Sequence, residues 1–163
     1  MVYSAEDIEK KARENEKANK ELVKSLKKRT PGNLDELVQS AHDKAFKKID
    51  CLTCANCCRS LGPRITEKDI ERLSKHLKVK QSSFMETYLR VDEDGDNVFR
   101  QMPCPFLEAD NKCRVYEYRP KACREYPHTD RKKFHQILDL TLKNTYVCPA
   151  VNDILAQLRN IKG

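Results

Sequence analysis

No cysteine occurs in the first 50 residues of this chain; all eight lie between Cys51 and Cys148. Residues 1–50 therefore offer no thiol ligand, and the sequence divides into an N-terminal helical extension, 1–50, and a cysteine-bearing domain, 51–163. Glycine is scarce as well. Gly32, Gly62, Gly95 and Gly163 stand far apart, which leaves no glycine-rich nucleotide-binding signature. The opening MVYSAEDIEK lacks the basic start, apolar middle and small-residue cleavage site of a secretory signal, and no apolar run is long enough to cross a bilayer. These absences lead to the expectation of a cytoplasmic protein with no membrane partner, whose cysteines stay reduced.

Core-forming residues are also thin for the amount of charge: 39% of the chain is hydrophobic and 35% charged. Something besides apolar burial is expected to stabilise the fold. A structural zinc site contributes an apparent ~10–16 kcal/mol of coupled folding free energy, which matches the net stability of a whole domain.

What the chain has in abundance is sulfur. Cys51-Leu-Thr-Cys-Ala-Asn-Cys-Cys58 holds half of its cysteines in one short segment. Disulfides and metal ligation compete as explanations. Adjacent Cys57 and Cys58 do not comfortably bridge each other, and one local segment cannot supply partners for all four. Metal ligation fits better, because a CxxC pair lets two sulfurs converge on one ion. Cys51/Cys54 and Cys54/Cys57 are overlapping pairs of this kind. Neighbouring side chains on extended backbone point to opposite sides, so Cys57 and Cys58 are expected to serve different centres.

Two divisions of the thiols remain open. Eight cysteines make two four-cysteine zinc sites, each drawing locally on 51–58 and remotely on Cys104, Cys113, Cys123 and Cys148. Alternatively CxxCxxC with the distant Cys148-Pro149 resembles the holding of a 4Fe–4S cluster in bacterial ferredoxins, although their own Cys-Pro follows the triplet after three residues. Thiolates suit zinc and iron alike. Arg59, Arg64, Arg114, Arg119 and Arg124 crowd the cysteines in sequence and would offset the negative charge of a thiolate site. Pro120 is placed to open a helix that puts Cys123 near its positive end, where a thiolate is stabilised. His128 is an alternative ligand, behind eight cysteines. His42, His76 and His135 read as packed or surface residues, and Tyr116, Tyr118 and Tyr126 as packing over the thiols.

The remaining pattern is mostly helical. Ser4 caps a long helix that ends before Pro31-Gly32, with Ile8, Ala12, Leu22 and Leu26 on one stripe that Asn15 and Asn19 interrupt. A second helix starts at Asn33, with Glu36 completing a capping box. Thr66 and Asp69 form the box of a third, with Ile65 and Ile70 as its hydrophobic staple. Ser83 caps a short fourth helix. The stretch RVDEDGDNVFRQM reads as a hairpin turning at Asp94-Gly95, since glycine and the acidic twelfth ligand are misplaced for a calcium loop. A terminal helix carries Ile154, Leu155 and Leu158. The expected class is α+β, mostly α: a small, irregular, metal-centred domain with a short β-hairpin and an N-terminal helical extension.

CLTCANCCR, then CPFLEADNKCRVYEYRPKACREYP, then a late Cys-Pro resembles the YkgJ-type cysteine-cluster family of zinc- or iron-chelating proteins, which carry a CxxCxxCC signature. The resemblance covers roughly residues 51–150. It implies that Cys51, Cys54, Cys57, Cys58, Cys104, Cys113, Cys123 and Cys148 form the metal-binding set, with Arg119-Pro120, Arg124 and Tyr126-Pro127 in the framework. A larger relative, flagellin lysine methylase, has a similar cysteine region, which keeps an iron–sulfur oxidoreductase or methyltransferase-like enzyme as the alternative to a non-catalytic chelating domain. No catalytic residue is assigned. Metal ions are the expected partners, with a protein partner through the N-terminal helix as a further expectation. Nucleic acid ranks behind these despite the +7 net charge, because that charge is spread along the chain.

Overall fold

The computed structural model describes residues 3–162. Its elements run α1 (Ala5–Lys28), α2 (Leu34–Phe46), α3 (Cys51–Cys54), α4 (Asn56–Ser60), α5 (Glu67–Leu77), α6 (Gln81–Tyr88), β1 (Leu89–Val91), β2 (Asn97–Phe99), α7 (Lys121–Glu125), α8 (Leu138–Asn144) and α9 (Pro149–Lys162). Among the described residues the only sheet is the antiparallel pair β1–β2, so the class is α+β and mostly α. The chain forms two compact units. One comprises the residues up to Asn56 with those from Pro127 on; the other is Cys57–Tyr126.

In the first unit, Ser4 Oγ accepts the Asp7 N–H at 3.1 Å, so α1 starts at the cap the sequence provides. Its stripe of Ile8, Ala12, Leu22 and Leu26 is buried, and α1 packs on α8 and α9. Ile8, Leu22 and Leu26 each stabilise the unit by about 1.5–3 kcal/mol through removal from water. From α2, Leu34, Val38, Ala41 and Ala45 are buried, and the helix packs on α9, whose Ile154, Leu155 and Leu158 are buried in turn. The capping box expected at Asn33 does not form. Asn33 sits at φ −104°, ψ 21°, away from the extended geometry of a side-chain cap, and makes no cap hydrogen bond. Instead the neighbouring Asp35 accepts the N–H groups of Lys133 (2.7 Å) and Phe134 (2.9 Å), which caps the 3₁₀ turn Phe134–Ile137.

In the second unit the Thr66–Asp69 capping box forms in full. Ile65 and Ile70 are buried together in a cluster with Leu73, Phe84, Leu89, Phe99, Phe106 and Val115, and Cys104 and Cys113 pack against it. The helix expected from Ser83 begins earlier: Lys80, extended at ψ 147°, precedes Gln81, and Ser83 lies inside the helix. The hairpin turns where the sequence places it, with Gly95 at φ 82°. Asp92 Oδ1 accepts from Asp94 N (3.0 Å) and Asp96 N (2.9 Å), so the acidic stretch folds onto its own backbone.

Candidate metal centre

Four cysteines of the second unit are neighbours. The Cys104 N–H donates to the Cys58 carbonyl at 2.8 Å, which fixes residue 104 beside α4. From Cys104 the chain turns back through Asn111, at φ 69°, and closes a bridge between Leu107 and Cys113. Glu108 N–H to Lys112 O at 2.8 Å tightens that turn. The loop thereby returns Cys113 towards Cys104. Cys123 lies on the first turn of α7, its N–H donating to Pro120 O at 2.9 Å.

Electrostatics report the same grouping. Burial pushes the Cys123 thiol up to about 12, and the charges of Cys104, Cys58 and Cys113 add to it. Cys104 is pushed up to about 11, first by burial, with Cys58 and Cys113 again contributing. Cys113 is raised chiefly by burial, and Cys58 adds to this. Cys58 departs in the other direction, to about 7, because Cys57 hydrogen-bonds to its sulfur and Arg59 lies close; burial opposes both. The expectation that a helix N-terminus would favour the Cys123 thiolate is thus corrected. Pro120 is the cap residue of a five-residue helix and not its first helical residue, and burial with the neighbouring thiols raises the Cys123 thiol.

The first unit holds a second group. Asp50 caps α3 by accepting the Leu52 N–H at 2.9 Å, and left-handed Ala55 (φ 49°) ends it with an N–H to Cys51 O at 2.9 Å. Asn56, 6% exposed, donates from Nδ2 to Val147 O at 2.8 Å and so ties this turn to the residue before Cys148. Cys54 and Cys148 are buried and Cys51 is exposed. Burial pushes Cys148 up to about 12, with Cys51 and Cys54 adding their charges.

No disulfide joins any of the eight cysteines. Among the described residues, no three or more His, Cys, Asp or Glu side chains are drawn together as a preformed metal cage. The sulfurs are neighbours that a cation would have to gather. The donor chemistry fits such a cation: buried thiols that resist ionisation lose their protons readily only to a ligated metal. Of the arginines, Arg59 and Arg119 act on the thiols. Arg64 pairs with Asp96 at 3.0 Å and Arg114 with Glu108 at 4.0 Å. His42 Nδ1 lies 2.8 Å from Thr129 Oγ1, and His76 stacks on Tyr118 at 3.9 Å between ring centroids.

A model of the CxxCxxCC family, described as "Putative zinc- or iron-chelating domain", matches residues 50–148. The chain belongs to this family. The match takes in every cysteine of both groups. A relative, the uncharacterized protein MJ0661 of Methanocaldococcus jannaschii, is 28% identical over 82 residues, 48% of this chain. The chain spans 44% of that protein's own length. No solved structure matches. Among the described residues no helix is long and apolar enough to cross a membrane.

Two residues of this CxxCxxCC chain that the sequence did not single out, Arg72 and Asn56, sit close to its thiol segments. Arg72 donates from Nη2 to Arg119 O at 2.9 Å, just ahead of α7. Asn56 lies inside the signature itself, and its side chain donates to Val147 O. Nothing in local spacing marks either contact.

Proposed function

We propose that the protein is a metal-binding domain that chelates zinc or iron through thiolates. Cys58, Cys104, Cys113 and Cys123 form one four-sulfur set, and Cys51, Cys54 and Cys148 contribute to a second centre. Cys57 supplies the eighth sulfur. The observation that carries this reading is that Cys123 lies within the field of three other thiols drawn from segments far apart in sequence. Four half-buried thiols in this proximity resist ionising together, and a divalent ion compensates the thiolate charge. Membership of a family described as zinc- or iron-chelating supports the same conclusion.

In this role the residues' tasks are separate. The eight sulfurs donate electron pairs, Arg59 and Arg119 offset the resulting negative charge, and the turns around Asn111 and Ala55 set the spacing. The bound ion supplies the cross-link that the modest apolar core lacks.

Cobalt substitution tests the reading. Cobalt(II) added to metal-free protein should give intense sulfur-to-metal charge-transfer absorption, and Cys58→Ser and Cys148→Ser should each remove part of it. Absence of charge-transfer bands in the parent protein would refute thiolate ligation.

A further inference from the structure

We propose that Asp69 and Arg72 form a clamp that aims Cys123 at its sulfur neighbours, making both of them positioning residues for the metal centre of the second unit. This rests on the metal-binding reading above. Asp69 is 1% exposed, and both of its carboxylate oxygens are engaged. Oδ2 accepts from Thr66 N at 2.9 Å, which serves the capping box, and from Thr66 Oγ1 at 2.8 Å. Oδ1 accepts from Arg72 Nη2 at 2.7 Å and from the Lys121 N–H at 3.0 Å. A capping box needs only the Thr66 N–H bond of the first pair, with the Asp69 N–H donating in return to Thr66 Oγ1 at 3.2 Å. The second pair extends the same carboxylate to the opening residue of α7, two positions before Cys123.

Arg72 holds the other side of that frame. Its Nε donates to Tyr118 O at 3.3 Å and its Nη2 to Arg119 O at 2.9 Å. Two side chains of α5 therefore fix the backbone of residues 118, 119 and 121. Pro120 lies between them with its φ locked and no N–H to compete. Because Cys123 N–H donates to Pro120 O, the frame holds the backbone from which its thiol projects. A buried carboxylate is costly unless its bonds are complete, and here completion depends on Lys121. The frame is built from α5 side chains and not from the sulfurs, which lowers the ordering that binding must supply.

The test uses the full-length, zinc-loaded chain and follows transfer of zinc to a chromogenic chelator. Asp69→Asn and Arg72→Met should each release one portion of the zinc about 10–100-fold faster than the parent, while the remainder leaves at the parent rate. Leu73→Ala, a cavity at a fully buried position of the same helix, is the structural control. Compared at matched residual stability, set with urea, it should release zinc as the parent does. Arg72→Lys keeps a cation at Asp69 without the guanidinium fork and should give an intermediate rate, so the clamp stays testable should Asp69→Asn fail to fold. Parent-like release from Asp69→Asn and Arg72→Met, or equal acceleration by Leu73→Ala, overturns the clamp. A parent protein that takes up neither zinc nor iron overturns the metal-binding reading itself.

Discussion

Arg159 Nη2 donates to Asn15 Oδ1 at 2.9 Å, and the same guanidinium also donates through Nη1 to Asn19. The two asparagines that interrupt the apolar stripe of α1 are thus receptors for one arginine on α9. Because arginine only donates, it also fixes the orientation of the Asn19 amide, whose Nδ2 is buried without a hydrogen-bond partner. Arg159→Ala leaves Asn19, 1% exposed, without its acceptor bond as well. It should destabilise the protein by about 1–3 kcal/mol in urea unfolding, and Asn19→Ala by less than Arg159→Ala.

Cysteine and histidine variants should separate cleanly. Cys54→Ser and Cys123→Ser, one from each group, should each lower metal content and loosen the segment around the substituted residue. His42→Ala loses a 2.8 Å contact with Thr129 and should cost about 1 kcal/mol with metal content unchanged. Elemental analysis of the three purified variants checks this; equal metal in all three would contradict the ligand assignment.

Alkaline pH should destabilise the metal-free protein. Burial raises Cys104 to about 11 and Cys123 and Cys148 to about 12, against about 8.5 for an unfolded chain. The folded state then keeps protons that the unfolded state has released. Stability contributed by these thiols is complete below the unfolded value and is lost as pH rises through the folded ones. The melting temperature of metal-free protein should fall between pH 8 and pH 10.5, and zinc should suppress that fall because ligated sulfurs no longer titrate. A metal-free protein whose melting temperature rises over this range would contradict the assigned shifts.

Acid exposes the opposite sign at Asp69. Burial opposes its ionisation, but hydrogen bonds from Thr66, Arg72 and Lys121 hold its carboxyl below the usual range. Its contribution is present above the unfolded value of about 3.9 and lost as pH falls below it. Asp69→Asn should flatten the stability profile below about pH 4, a change that acid titration of melting temperature detects.

Asn56→Ala removes the 2.8 Å hydrogen bond that ties the Cys54 turn to Val147 O. The loss should be about 1–2 kcal/mol, and it should appear as faster amide exchange at residues 144–150. Unchanged exchange there would mean that the tie carries no stability.

Local chemistry was the legible part. Ser4, the Thr66–Asp69 box and the Asp94-Gly95 turn each declare themselves within a few residues, and each stands as expected. Asn33 is the N-cap of α2 as expected, but its box with Glu36 does not close, and Ser83 lies inside a helix that starts at Gln81. Long-range bonds were invisible to spacing. Nothing around Asp69 points to Lys121, nothing around Asp35 to Phe134, and the asparagines of α1 read as flaws until Arg159 met them. The Cys123 thiol divides along the same line. Its helix position is local information, whereas its burial among Cys58, Cys104 and Cys113 is tertiary.

The most direct test is the metal content of anaerobically purified protein, taken with its visible spectrum and its folding in a strong chelator. Thiolate ligation predicts bound zinc, or iron with the broad visible absorption of a sulfur cluster, and a clear fall in melting temperature once the metal is stripped. A colourless protein with neither metal, fully folded and equally stable in chelator, would contradict it.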